Sequence, residues 1–271
     1  MIPQLPKKYF RRIWRAIGEF KMLDRGESLV VGLSGGKDSC FLLYAMAALR
    51  LYTGIPREIF ALTVDMGFSE RTEDFLKLNQ YCKELNIPFY LLPTKIGRQF
   101  VGRKEVPCAM CSYLRRGAMA RWAQANGHKK IAYAHHLDDI VETFIMNIFY
   151  AGKNKTFLPK SFLERTGVTV IRPLVYLREY EISHAVKTFV PVKPIGSLCP
   201  FAGRTKRAEV KNMIKALEKN NKFLFSNLCS AMRSGPEHEL WPPKIESKRI
   251  KEQCNHLKQN STSFPHPQNP G

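Results

Sequence analysis

What the sequence lacks narrows it first. No apolar run reaches the roughly 20 residues that span a bilayer, so no transmembrane helix is expected. The opening stretch MIPQLPKKYFRRIWRAIGEF carries charges where an export signal has its apolar core, so a cytoplasmic location away from membranes is expected. Acidic residues are scarce: 23 Asp and Glu stand against 43 Lys and Arg, a formal net charge of +20. The seven cysteines are an odd number without an export signal, which argues against a disulfide framework and for metal ligation or plain burial. No internal repeat is visible, and composition excludes collagen, mucin and wholly disordered classes.

What remains is a 271-residue chain, 44% hydrophobic, long enough for one large or two ordinary domains. Its cation excess favours a polyanionic partner, because neutralised phosphates release condensed counterions. Residues 7–22 read as a basic amphipathic helix with Phe10, Ile13, Trp14, Ile17 and Phe20 on one side. Short apolar strands follow at 28–33, 59–64, 88–92, 130–134 and 168–171, alternating with helices at 40–51, 74–86, 112–126, 137–150 and 178–189. That alternation predicts an α/β fold with a doubly wound parallel sheet, whose ligands sit at the strand carboxyl ends. The expected organisation is a helical segment over 1–27, a nucleotide-binding domain over 28–200, a basic helical segment over 201–234 and a disordered tail over 235–271.

The first strand runs into Ser34-Gly35-Gly36-Lys37-Asp38-Ser39, and a helix pattern follows. Two glycines let backbone approach a ligand, and free amides at the next helix start suit an anion. Lys37 adds charge and Ser39 a hydroxyl. The Walker A spacing is absent. The loop resembles that of the PP-loop ATP pyrophosphatase superfamily, S-G-G-x-D-S. Members bind ATP, cleave between its α- and β-phosphates and transfer AMP to an acceptor oxygen. The resemblance implies that Ser34, Gly35, Gly36, Lys37 and Ser39 hold phosphates, with Asp38 near a Mg²⁺ ion or the reacting centre. It also implies that the second strand's end, at Val64, meets the adenine. Asp65 there reads equally as a helix cap.

Pro107-Cys108-Ala109-Met110-Cys111 precedes a helix carrying Arg115, Arg116 and Arg121, and Cys199 stands in a later loop. Three thiolates fall short of a closed zinc site, which needs a His or a further cysteine. On a 4Fe–4S cluster they leave one iron with an open position, a use for an incomplete set. Cys40, Cys82, Cys229 and Cys254 read as inert.

In chain order, the S-G-G-K-D-S loop, the Cys-x-x-Cys before Arg-Arg, Ala134-His135-His136-Leu137-Asp138-Asp139, Arg172-Pro173-Leu174 and Cys199 together resemble the tRNA-thiolating branch of the superfamily. The match is closest to the tRNA 2-thiocytidine synthetases and covers about residues 9–232. The resemblance implies a 4Fe–4S cluster on Cys108, Cys111 and Cys199, ATP with Mg²⁺, a tRNA substrate, a homodimer, and sulfur supplied ultimately by a cysteine desulfurase. It places Asp139 and Arg115 near ATP, and Ala134 where a glycine is common. The alternative for His135 and Asp138 is capping and packing at a strand–helix junction. One departure is Gly196, where the thiocytidine enzymes commonly have a second cysteine. Lysidine synthetases lack the Cys-x-x-Cys, and the 2-thiouridine enzymes with zinc fingers at both ends have pairs that this chain lacks.

The expected reaction adenylates the C2 oxygen of a tRNA pyrimidine, most closely an anticodon-loop cytidine, and replaces it with sulfur, with Asp38, Asp139 and Cys199 catalytic. The basic segments over 7–22 and 204–222 and the Arg115-Arg116 face would hold the tRNA backbone. Rival readings are an ATP-dependent amidase or ligase with structural zinc, and a non-catalytic RNA-binding protein.

Overall fold

The computed structural model describes residues 2–68, 72–100, 108–195 and 206–233. The chain divides into two compact units, Met1–Cys229 and Ser230–Gly271; of the second, only the end of one helix is described. Cys199, Gly196, Pro107, Cys254 and the expected tail over 235–271 lie outside the described residues.

The first strand, β1 (Ser28–Gly32), is buried along Leu29, Val30 and Val31. Such a run suits a strand covered on both faces. Around it lie β2 (Glu58–Asp65), β3 (Phe89–Pro93), β4 (Lys130–Ala132), β5 (Lys160–Leu163) and β6 (Val168–Ile171), in the order β3-β2-β1-β4-β6-β5. The pairings from β3 through β6 are parallel, and β5 adds an antiparallel edge. Successive connections depart to opposite sides of β1, so the strand order reverses between β1 and β4. An open α/β sheet binds ligands at that crevice.

The sequence reading of a doubly wound parallel sheet therefore holds, with β5 as a correction. Lys-Ser-Phe-Leu is short, with a cation at its start and no sustained apolar alternation. Such a strand is fixed by its hairpin with β6 rather than by its own pattern, and its brevity suits a sheet edge.

The helices cover both faces. The helix α2 (Lys37–Thr53) is buried from Ser39 to Leu49, apolar nearly all round, as a helix inside a layered core must be. The first helix, α1 (Lys7–Glu19), and α6 (Glu179–Phe189) lie over it, and Tyr9, Phe41 and Phe189 join the three in an aromatic cluster with ring centres 5.7–6.3 Å apart. The stripe that α1 buries is Tyr9, Ile13, Ala16 and Ile17. Trp14, expected on that stripe, stays 39% exposed and stacks on Phe10, because positions 9, 13, 16 and 17 make a tighter helical face. The remaining helices are α3 (Thr72–Glu84), α4 (Cys108–Ala125), α5 (Leu137–Ala151), α7 (Lys206–Asn220) and α8 (Leu224–Arg233). On the other sheet face, α4 places Met119, Ala120 and Ala123 over Val30, Leu62 and Ile131. The sequence expected this helix to begin only at Ser112; it begins at Cys108, so both cysteines of the pair ride on its first turn. The basic segment read over 204–232 is, where described, two helices, with α7 packed on α5.

Candidate active site

A cavity of about 550 Å³ opens at the carboxyl ends of β1, β2 and β4, the crevice the topology predicts. Of the residues the sequence singled out, Ser34, Gly36, Asp38, Ser39, Val64 and Ala134 line it, as do Arg115, Asp139 and Cys111. Gly35 and Lys37 stand in the same loop without lining it. Cys108, one helical turn before Cys111, is exposed at the start of α4.

The loop after β1 is held by its own serines. The Ser34 amide donates to Ser39 Oγ at 3.1 Å, Ser39 Oγ donates to the Gly36 carbonyl at 3.0 Å, and the two hydroxyls lie 3.0 Å apart. Gly35 sits at φ +84°, where other residues are strained, and a Cβ there would press on Ile195 at 3.1 Å. Gly36 caps α2 with no side chain of its own, so the helix start presents its amides and positive dipole end to an anion.

Lys37 Nζ lies 2.8 Å from Asp38 Oδ1 and 3.2 Å from Glu179 Oε1. Burial opposes its charge, but the Asp38 hydrogen bond and the two carboxylates outweigh it and raise its pKa. Glu179 also accepts an ion pair from Lys211 of α7. Burial works against the Glu179 carboxylate, yet Lys211 and Lys37 hold its pKa down to about 2. A depressed carboxyl contributes fully above its ordinary value, near 4.5, and loses that contribution as pH falls toward 2. The stability gap between the wild type and Glu179→Gln, measured by urea unfolding, should therefore be present at pH 6 and shrink at pH 3.

At β2's end, Val64 meets the cavity, and the Asp65 carboxylate accepts the Gly67 amide at 2.9 Å. Asp65 thus closes a turn rather than capping a helix. Gly67 is obligatory in that turn, at φ +70°, since a Cβ would lie 2.5 Å from the Thr94 carbonyl oxygen.

The junction after β4 divides its acidic and imidazole groups between two tasks. His136 is buried and caps α5: its Nδ1 accepts the Asp139 amide, and the His136 amide donates to Asp139 Oδ2 at 3.0 Å. With Nδ1 on the Asp139 amide, Nε2 faces Asp139 at 3.4 Å and Asp38 at 3.9 Å. Asp138 turns the other way. It accepts the Glu179 amide at 2.7 Å, capping α6, and pairs with Arg178 at 3.1 Å, so the capping reading of Asp138 describes its place. Asp138→Ala should cost about 2 kcal/mol of stability, from a lost cap and a broken charge-assisted bond, while leaving ATP affinity intact. Denaturant unfolding and nucleotide titration would check the two halves.

His135 faces the cavity, with its ring against Phe157 at 4.8 Å and its Nδ1 accepting from Arg172 Nε at 3.2 Å. Burial, then Arg172, Arg207, Arg116 and Arg115, push its pKa down to about 3, so it is neutral at physiological pH. Arg172 is itself buried, and its other donors go to the Leu158 carbonyl and Ser161 Oγ. Among the described residues, Tyr133 Oη is the buried side-chain polar atom left without a hydrogen-bond partner. Such a group costs about 1–3 kcal/mol.

Sequence reasoning did not single out Tyr133 or Arg207. Arg207, on α7, reaches Asp139 at 3.2 Å, Glu142 at 3.1 Å and Thr143 Oγ1 at 2.9 Å, so it ties α7 to the cavity wall. One Arg among many in a basic run carries no signal of this. Cys40 and Cys82 are buried, and burial lifts both thiols to about 12, out of reach of thiolate chemistry.

Among the described residues, no three His, Cys, Asp or Glu side chains converge as a metal site. Cys108 and Cys111 stand three apart on one helical face, neither is in a disulfide, and Cys111 lines the cavity. Two thiols so placed fit two ligands of a cluster; the expected third, Cys199, lies outside the described residues.

Fold and loop together define an α/β nucleotide-binding protein with its anion loop at the sheet's switch point. A family model described as the PP-loop domain matches residues 8–189. The tRNA-cytidine(32) 2-sulfurtransferase of Shewanella sediminis (strain HAW-EB3) is 34% identical over 239 residues, covering 85% of this chain and 73% of that protein. The enzyme of the same name from Herminiimonas arsenicoxydans is 35% identical over 234 residues, covering 84% and 72%. The chain belongs to the PP-loop family, within the group of tRNA-cytidine(32) 2-sulfurtransferases. Among solved structures, the U34-tRNA thiolase NcsA from Methanococcus maripaludis with its [4Fe-4S] cluster shares the fold, at TM-score 0.69 and 23% identity, covering 89% of this chain and 82% of that one. Among the described residues, no helix is long and apolar enough to cross a membrane.

Proposed function

We propose that the protein exchanges the C2 oxygen of a tRNA cytidine, at the position its relatives' name gives as 32, for sulfur at the expense of ATP. One observation carries the reading: the anion loop, Arg115 and Cys111 meet on one cavity. A phosphate-binding loop alone serves many ATP enzymes. A thiol of a Cys-x-x-Cys pair beside it serves a reaction that needs both an adenylate and sulfur.

The chain's own residues act as follows. The amides opening α2, with Ser34, Ser39 and Lys37, hold the β- and γ-phosphates, and Val64 borders the adenine. The cytidine C2 oxygen attacks the α-phosphorus, a P–O bond forms, and the bond to pyrophosphate breaks. Lys37 neutralises the departing charge once phosphate draws it from Asp38 and Glu179. Asp38 and Asp139, which both face His136 Nε2, would hold Mg²⁺. Sulfur then bonds to C2 and AMP leaves with the original oxygen. A 4Fe–4S cluster on Cys108, Cys111 and Cys199 would supply an iron with an open position to present that sulfur. tRNA would lie along the basic faces of α1, α4 and α7, with sulfur coming from a cysteine desulfurase and two copies forming the working unit. The domain over 28–200 holds the chemistry in this account.

Anaerobic purification tests it. Brown protein with about four iron and four sulfide per chain is expected. Colourless protein containing zinc would favour the amidase or ligase reading instead.

A further inference from the structure

The Tyr133 hydroxyl has a neighbourhood with one consistent chemistry. The pairing of Val31 with Ala132 places Gly32 and Tyr133 side by side where β1 and β4 end, at the switch point. A side chain on Gly32 would be crowded there: its Cβ would lie 3.0 Å from Met119 Cε and 3.2 Å from the Tyr133 ring. Glycine at 32 therefore clears the space that the ring fills, and Met119 of α4 covers it. Tyr133 lines the cavity, and its hydroxyl is buried with no partner among the described residues. The charges that act on it are the guanidinium groups of Arg115, Arg116 and Arg172. Arg172 donates to a histidine, a carbonyl and a hydroxyl, none of them anionic. The cavity's carboxylates do not offset this positive corner: Asp38 is matched by Lys37, Asp139 by Arg207, and Asp65 accepts a backbone amide.

A hydroxyl donor without a partner among the described residues, beside guanidinium groups that no described carboxylate pairs, suits an anionic oxygen acceptor. The anion loop starts from the adjacent strand, so a triphosphate seated on that loop shares one cavity with Tyr133. We infer that the Tyr133 hydroxyl donates a hydrogen bond to an α-phosphoryl oxygen of ATP, and of AMP after transfer. Tyr133 is thus a positioning residue for the phosphorus that is attacked. This inference rests on the nucleotide-transfer reading above.

Titration calorimetry on the full chain tests it with two probes, AMP and pyrophosphate, on the wild type and Tyr133→Phe. Phe keeps the ring that fills the space beside Gly32. AMP should bind about 10- to 100-fold more weakly to the variant, the loss typical of a hydrogen bond to a charged group. Pyrophosphate affinity should not change. The ligand-free variant should melt no lower than the wild type, because it loses a buried hydroxyl that had no partner. Unchanged AMP affinity, an equal loss for both probes, or a clearly lowered melting temperature would each overturn the assignment to Tyr133 while leaving the reaction class standing. A wild type that binds pyrophosphate but not AMP overturns the Tyr133 assignment, and one that binds neither overturns both.

Discussion

Lys37→Ala is expected to lower ATP-dependent formation of AMP and pyrophosphate about 100- to 1000-fold, the loss seen when one preorganised charge or donor is removed from a site where anionic charge develops. The geometry says why this cation matters more than other lysines of so basic a chain. Lys37 is half-buried at the first turn of a helix whose dipole already favours an anion, and its ammonium sits between Asp38 and Glu179. Those carboxylates keep it charged and parked while no phosphate is bound. A phosphate with two or more negative charges can outbid one shared carboxylate pair. The fold should survive the substitution, since the loop is held by Ser34, Ser39 and Gly36 rather than by the lysine. A variant that retained wild-type pyrophosphate release would remove Lys37 from the reaction.

Cys108→Ser should abolish sulfur insertion and strip the iron, while ATP affinity stays at the wild-type value. Cys108 is exposed and does not line the cavity, so the nucleotide's surroundings do not depend on its sulfur. A serine hydroxyl is a poor substitute for a thiolate toward iron. Iron analysis and nucleoside mass spectrometry on the same preparation read both effects. Full thiolation by Cys108→Ser would contradict a cluster on this pair.

The parallel sheet and its switch-point site were legible because apolar strands and helices alternate at regular spacing, and because Ser34 to Ser39 falls directly after the first strand. The resemblance implies that Asp139, Arg115 and Val64 lie near ATP, and the three line one cavity. Other features left little trace in the residues. Lys160–Leu163 is a strand because β6 offers it an edge. Trp14 reads as core by its type but faces outward, because only the full packing of α1 on α2 decides which stripe is buried. Asp138 and Asp139 are adjacent and chemically identical, yet one caps α6 and the other faces the cavity. That difference comes from which way the first turn of α5 rotates each side chain, which a sequence does not display. Arg207 reaches Asp139 across 68 residues of chain, a contact set by tertiary packing alone.

The most direct measurement is a single-turnover reaction of the anaerobically prepared full chain with unmodified tRNA, ATP, Mg²⁺ and sulfide, followed by nucleoside mass spectrometry and AMP quantification. 2-Thiocytidine should appear, with one AMP accompanying each sulfur gained. ATP cleaved to AMP while every cytidine keeps its oxygen would contradict the proposed exchange.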